Sequence, residues 1–320
     1  MKTLLITGIG GDIAQCVAKI ARETIPDIIM IGTDTHDEHG GHMFVNQYLN
    51  LPRADHPDYT LELLKVIEYY EVDQVLPLSE AELRRLSLDK ILPGSADSGW
   101  LFCGQRALTI GLDKLATARF VSDIGWESPW TVPVEQRPLS YPCIFKARRG
   151  AGSKQLAFVR DEDDACYQQR LNGDNGIFQE LLQPADQEVT CALYRTWHTG
   201  EIRVAQLRRR LTGGFTGWAE LISDSIIHRF CSEIAVALDV RGCINIQLIR
   251  TARGPMILEI NPRISSTALI RHKMGFTDVA WLLEEAFGSM LVPYQEVASG
   301  LIGVRIQDAL VFCKSKDNIT

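Results

Sequence analysis

The stretch NIQLIRTARGPMILEINPR, residues Asn245 to Arg263, contains two alternating apolar-polar runs around a Gly-Pro turn. That pattern predicts a β-hairpin, Cys243 to Arg250 and Met256 to Ile260. With the turn centred on Arg253, Gln247 stands across from Glu259 and Asn245 from Asn261, so all four side chains share one face. Ile244, Ile246, Leu248, Leu258 and Ile260 then fall on the other face, and Arg263 continues in phase with Glu259 and Asn261. Amide and carboxylate oxygens beside a cation suit magnesium and a phosphate, because Mg²⁺ takes a few protein oxygens and leaves its other positions to water and phosphate. The same alternation also fits a sheet with one face in solvent, and the pattern alone leaves both readings open.

A second hairpin is expected from Cys143–Ala147 and Gln155–Arg160, joined by a glycine loop. Lys146, Arg148, Arg149 and Lys154 lie there with no acid between them, while Gly150, Gly152 and Ser153 let the backbone approach an anion closely. Four such cations repel one another unless an anion neutralises them, which argues for a phosphate over a solvated hairpin tip. This is not a Walker loop, since no Gly-Lys-Ser or Gly-Lys-Thr occurs in the chain.

Before these hairpins, Lys2–Thr7, a Gly-rich turn and the periodic run Ile13–Ile25 read as strand, turn and helix. Ile28–Gly32, a helical pattern through Leu61, Leu64 and Ile67, and the run Gln74–Leu78 continue an open parallel α/β unit that fades near residues 105 to 112. The remainder reads as α+β. Helices are expected over Asp113–Gly125, Glu162–Leu171 and Ser225–Leu238, and strands over Gly176–Leu182, Glu188–Thr196 and Ile202–Arg210. Gly8-Ile9-Gly10-Gly11-Asp12-Ile13, with Asp34 after the second strand, is a near-match to a dinucleotide fingerprint. Ile13 occupies the place of its third small residue, so a structural turn is the stronger reading. His36, His39 and His42 beside Asp34, Asp37 and Glu38 could be read as a metal cluster, but Gly40-Gly41 breaks any helix that would align the rings.

The chain has 320 residues, enough for two or three compact units, with 33 Lys plus Arg against 40 Asp plus Glu, a net charge of -7. An acidic balance disfavours broad phosphate-backbone binding, so no nucleic-acid partner is expected. Eight cysteines, at 16, 103, 143, 166, 191, 231, 243 and 313, include no Cys-x-x-Cys pair and read as reduced thiols. The first apolar run is broken at Gly8, too short for a signal-peptide core, and no run reaches the ~18 residues of a membrane helix. A cytoplasmic protein without a membrane partner is the expectation.

Taken in order, LDKLATARF, FKARRGAGSKQLAFV, FQELLQPADQEVT and NIQLIRTARGPMILEINPRIS resemble the ATP-grasp superfamily. STALIRHKMGF, after EINPR, looks like the carbamoyl-phosphate-synthase large-subunit branch. The resemblance spans about residues 113 to 290. It implies an N-terminal α/β pre-grasp domain over 1–110, a small lobe with the glycine loop over 111–183 and a large lobe with the metal hairpin over 184–320. Position by position, it implies that Lys114 and Lys146 contact ATP phosphates and that Gly150, Gly152, Ser153 and Lys154 close over them. Glu180 with Leu181 and Leu182 would bind adenine, and Glu188 the ribose hydroxyls. Gln247, Glu259 and Asn261 would hold Mg²⁺ or Mn²⁺. Arg263, with Lys146, would stabilise the moving phosphoryl group. Gln at 247 matches the carbamoyl-phosphate branch, and Ala147 departs from a proline common among relatives.

The implied activity is an ADP-forming carboxylate-amine ligase acting on small molecules, with a homodimer as the family-level expectation. Arg271, with His272, is a candidate for gripping the acceptor carboxylate, and Arg208 and Arg210 are candidates for cationic lining; a salt-bridged surface is the competing reading for these. Two other functions share the same residues: phosphorylation of bicarbonate or carbamate, and a non-catalytic ATP-binding regulator.

Overall fold

Near the N-terminus Leu4, Leu5 and Ile6, between Thr3 and Thr7, are buried without alternation, the pattern of a strand covered on both faces. In the computed structural model, which describes residues 2–92, 99–150, 155–173, 175–213, 215–289 and 294–306, this segment is the inner strand β1 of a parallel sheet. The elements of this first unit are β1 (Thr3–Thr7), α1 (Asp12–Thr24), β2 (Ile29–Asp34), β3 (Gln47–Asn50), α2 (Tyr59–Tyr69), β4 (Gln74–Leu76) and α3 (Glu80–Leu88). The strand order is β3-β2-β1-β4. Ser79 and Glu82 form a reciprocal capping box that starts α3. The Glu82 carboxylate also accepts from Thr7 Oγ1 and Tyr59 Oη, both at 2.8 Å, which fixes the turn where β4 delivers the chain to the rest of the molecule.

Next come α4 (Gln105–Gly111), α5 (Lys114–Asp123), β5 (Thr131–Pro133), β6 (Cys143–Ala147), β7 (Leu156–Val159), α6 (Glu162–Asn172) and β8 (Gly176–Glu180). Their four strands form an antiparallel sheet in the order β5-β8-β6-β7, with a core of Val134, Cys143, Phe145, Val159, Ala165 and Phe178. The last group is β9 (Glu188–Arg195), β10 (Ile202–Thr212), β11 (Phe215–Ile222), α7 (Ser225–Ala237), β12 (Gly242–Thr251), β13 (Gly254–Asn261), α8 (Ala268–Lys273), α9 (Asp278–Ala286) and β14 (Ile302–Val304). Its six-stranded sheet runs β13-β12-β9-β10-β11-β14.

Both faces of this larger sheet are covered in part. On one, Cys191, Leu193, Ile244, Ile246 and Leu248 pack with Phe230 and Ile234 of α7 and with α4. On the other, Tyr194, Ala205 and Leu221 pack with Phe276, Trp281 and residues of α1. Each of these two clusters also contains aliphatics from the N-terminal parallel sheet, so that unit and the large sheet are welded by shared apolar cores. The smaller antiparallel sheet keeps its own core. What joins it to the large sheet on the apolar side is a cluster of Leu182, Ile249 and Met256 with Leu258 against them.

The strands and helices expected from periodicity are present within a residue or two at most ends. The sequence reading did not assign β3, β11, α4, α8, α9 or β14. Strand β11 is obscured by Gly217, a residue that weakens strand patterning. Its glycine is explained by packing, because a Cβ there would stand 2.3 Å from Thr212 Oγ1. Seven cysteines are free; Cys16, Cys103, Cys143, Cys191, Cys231 and Cys243 are buried and Cys166 half-buried, while Cys313 lies outside the described residues.

The hairpin β12–β13 pairs Asn245 with Asn261 and Gln247 with Glu259, the expected partners, but for a different reason. The turn is tighter than a loop centred on Arg253. Thr251 pairs with Gly254, which takes φ +107°, and the register runs through Leu248–Ile257 before shifting by one at a bulge. Leu258 is the extra residue. It does not alternate onto the buried face as expected, but packs with Ile249, Met256 and Leu182 on the side of Glu259. A bulge re-aims side chains and leaves a peptide group out of the ladder.

Candidate active site

That freed peptide group anchors the site. Lys146, on β6 of the small sheet, donates from Nζ to the Leu258 carbonyl at 3.1 Å, spanning the cleft between the two antiparallel sheets. Along β12 and β13 the cleft face then reads in order. First comes the apolar cluster of Leu182, Ile249, Met256 and Leu258, then Gln247 and Glu259, then Asn245 and Asn261, and last Arg263 just past the strand. Same-face neighbours on a strand are about 7 Å apart, so Ile249 to Asn245 covers roughly 13 Å, the scale of a nucleotide laid from its base to its terminal phosphate.

Opposite charges converge on the middle of this row. Lys114, the first residue of α5, lies 3.4 Å from Glu259 Oε2 and donates to the Gly150 carbonyl at 2.8 Å. Asn261 Nδ2 donates to Glu259 Oε1 at 3.1 Å. Burial pushes the Glu259 carboxyl up, but Lys114, Lys146 and the Asn261 hydrogen bond outweigh it and hold its pKa below the usual range. Burial pulls the Lys146 ammonium down to about 8, with Glu259 opposing and Lys114 reinforcing the shift. Arg263 is lowered by burial as well, against the raising influence of Glu80, Glu259 and Asp12.

An ionised Glu259 beside an amide oxygen is a donor set that suits Mg²⁺, and the Lys114 ammonium already resting on that carboxylate shows that it takes a cation. Gln247 is different. Its Oε1 accepts from Arg209 Nη2 at 2.9 Å.

Among the described loop cations, Arg148 and Arg149 already have a counter-charge within the fold, so the repulsion argument does not by itself call for an anion there. Asp113, the N-cap of α5, accepts from Arg148 Nε at 2.9 Å and stands 3.6 Å from Arg149. Burial raises the Asp113 pKa, yet these arginines and the α5 backbone N–H groups bring it down overall. Gly150 is held at both ends, its N–H by Glu80 Oε1 at 3.0 Å and its carbonyl by Lys114. Gly152, Ser153 and Lys154 lie outside the described residues.

Glu180 is the last residue of β8. Its carboxylate pairs with Arg253, which also reaches Glu127 at 2.9 Å, while Leu181 is half-buried and Leu182 is buried in the apolar cluster. Glu188 pairs with Arg209 at 2.7 Å. Arg271 belongs elsewhere. Only 1% exposed, it makes a two-pronged pair with Asp278 at 2.8 Å and donates to Ser265 Oγ and Thr267 Oγ1, so it fixes the chain after Arg263 and has no free face for a substrate. His272 sits against Glu23, and burial, the largest influence, lowers its pKa. Arg208 and Arg210 are exposed, one paired with Glu220 and the other stacked over Trp218 at 5.0 Å. The residue between them, Arg209, faces the cleft.

Arg209, Glu80 and Asp113 are the site residues the sequence reading missed. For Arg209 a signal existed. The ladder pairs Arg208 with Val189, which puts Arg209 in phase with Glu188. Glu80 and Asp113 reach the site only through the tertiary fold. At the N-terminal turn, Gly10 N–H donates to Asp34 Oδ2 at 2.8 Å, and a Cβ on Gly10 would stand 2.5 Å from the His39 ring. His39 accepts from the Gly41 N–H at 3.0 Å and caps a short 3-10 helix; the described residues contain no group of three or more metal-ligating side chains of the His, Cys, Asp or Glu kind.

Residues 112–267 match the ATP-grasp domain family. The chain contains an ATP-grasp domain. Its architecture is similar to that of N5-carboxyaminoimidazole ribonucleotide synthetase from Thermus thermophilus, at TM-score 0.72 and 18% identity over 92% of this chain and 79% of that one. It is also similar to an L-amino acid ligase from Bacillus licheniformis, at TM-score 0.70 and 15% identity over 91% and 75% of the two chains. Biotin carboxylase from Campylobacter jejuni, solved with an ATP derivative, aligns at TM-score 0.72 and 14% identity over 94% and 74%. At these identities the likeness establishes a shared fold. No curated protein sequence matches the chain. Among the described residues no helix is long and apolar enough to cross a membrane.

Proposed function

We propose that this ATP-grasp protein is an ADP-forming ligase that phosphorylates a small carboxylate and couples the resulting acylphosphate to an amine or similar nucleophile. One observation carries the reading: Lys114, Lys146, Glu259, Asn261 and Arg263 converge on a single cleft face that ends at an apolar cluster of Leu182, Ile249, Met256 and Leu258. In this reading residues 1–110 are the pre-grasp domain, 111–183 the small lobe and 184–320 the large lobe.

The base lies against the apolar cluster of Leu182, Ile249, Met256 and Leu258, with Glu188 on the ribose side and Lys114 and Lys146 on the phosphates. When bound, magnesium supplies neutralisation of the triphosphate oxygens, and Glu259 with Asn261 are the residues that would hold it. A carboxylate oxygen attacks the γ-phosphorus and ADP leaves; the amine then attacks the acyl carbon, phosphate leaves, and the amine gives up its proton. Arg263, past the metal end of the row, offsets the charge on the transferring group. Most of the protein's work is positioning and fixed charge, so no covalent enzyme intermediate is required.

The test is ADP release with Mg-ATP against pools of amino acids and small carboxylic acids. Stimulation by a carboxylate-amine pair, lost in Glu259→Gln, supports the ligase. ATP binding without stimulated turnover in any pool would indicate a regulator instead. Bicarbonate is a second candidate for the carboxylate, favoured by the architecture shared with biotin carboxylase, and stimulation by bicarbonate alone would single it out.

A further inference from the structure

Gln247, Glu259 and Asn261 form a row of oxygen side chains with two neighbouring pairs, and two-metal phosphoryl-transfer sites hold their ions about 3.5–4 Å apart, so the row presents two places to consider. Only one of these two places is open. The Gln247 oxygen is taken by Arg209, whose Nη2 donates to it at 2.9 Å while also donating to Glu188 Oε1 at 2.7 Å; Nε adds a third bond to the same carboxylate oxygen at 3.0 Å. The Arg209 side chain is 11% exposed and is tied to two strands, β9 through Glu188 and β12 through Gln247.

This differs from the cation at the other place. Lys114 reaches Glu259 through one flexible ammonium at 3.4 Å, which an incoming ion can displace. Displacing Arg209 would leave Glu188 without its counter-charge and the guanidinium without its three hydrogen bonds. An ion on the second lone pair of Gln247 would stand within about 5 Å of that guanidinium, given a Mg–O bond of about 2.1 Å, and the two positive charges would repel.

Resting on the ATP reading above, we infer that Arg209 takes the place of a divalent cation on the Gln247 side. The site then holds one metal ion, on Glu259 and Asn261, and Gln247 orients Arg209 rather than ligating metal. The guanidinium is a permanent charge facing the nucleotide, so its neutralising effect does not depend on metal concentration.

Mn²⁺ is the probe, counted by loss of the free-ion electron paramagnetic resonance signal in the presence of a non-hydrolysable ATP analogue. One ion per chain is expected for the wild type and two for Arg209→Gln. Gln247→Ala should move the Mn²⁺ dissociation constant by less than about twofold, whereas Glu259→Gln should weaken it about tenfold or more. Two ions on the wild type, an unchanged count in folded Arg209→Gln, or a tenfold loss in Gln247→Ala would overturn the inference while leaving the ATP reading in place. If Arg209→Gln does not fold, the wild-type count and the Gln247→Ala arm decide. No analogue-dependent Mn²⁺ binding at all would remove the ATP reading and this inference with it.

Discussion

Lys146 should take up a proton when nucleotide binds. Burial, opposed by Glu259 and reinforced by Lys114, places its pKa at about 8 in the free protein. At pH 8.5 roughly a quarter of these side chains are charged, and a triphosphate beside the ammonium restores the pKa toward its usual ~10.4, so binding takes up about 0.7 proton. Uptake shrinks toward zero at pH 7, where the group is already charged, and again above ~10.4, where it is neutral in both states. The sign for stability follows from the same shift. The unfolded chain binds more protons than the native one between pH 8 and ~10.4, so this group's contribution to native stability rises as pH climbs through that window. Isothermal titration of an ATP analogue in buffers of different ionisation enthalpy at pH 8.5 reads the uptake directly. Lys146→Arg should abolish it, because guanidinium does not titrate there, and Lys146→Met should weaken binding by about 10- to 150-fold, the equivalent of a charged hydrogen bond of 1.5–3 kcal/mol. Equal uptake in wild type and Lys146→Arg would show that another group is responsible.

Other substitutions separate scaffold from site. Asp278→Ala strands the buried Arg271 charge and should cost about 3–5 kcal/mol in denaturant unfolding; a normal unfolding midpoint with lost turnover would instead return Arg271 to the catalytic set. Asp113→Asn removes the counter-charge of Arg148 and Arg149 and the full-strength cap of α5, so KM for ATP should rise more than kcat changes, together with a loss of about 1 kcal/mol in stability. Gly217→Val places a side chain into Thr212 Oγ1 and should destabilise by about 1–3 kcal/mol through overpacking, visible as a lowered thermal midpoint; an unchanged midpoint would mean that β10 and β11 can part there without penalty.

Much of this was legible in the sequence because alternation in β12 and β13 is strong and Asn245, Gln247, Glu259 and Asn261 share its phase. The pairing was read correctly although the turn is one residue tighter, since the Leu258 bulge restores the register the longer turn would have given. That bulge left no mark in the pattern, and with it the carbonyl that holds Lys146 was hidden. Arg271 misled because it follows EINPR closely in sequence, while its partner Asp278 lies seven residues beyond, on the next helix. Asp113 and Glu80 were illegible for a similar reason: charge neutralisation of a loop depends on which acids the fold brings beside it, and here they arrive from the start of α5 and from the N-terminal unit.

The central claim is that the carboxylate is activated as an acylphosphate. Its most direct test uses the carboxylate that stimulates ADP release, labelled with oxygen-18, and mass analysis of the inorganic phosphate formed. Attack of a carboxylate oxygen on the γ-phosphorus followed by displacement at the acyl carbon carries one labelled oxygen into each phosphate. One label per phosphate alongside ADP is the predicted result; unlabelled phosphate, or AMP and pyrophosphate as products, would contradict it.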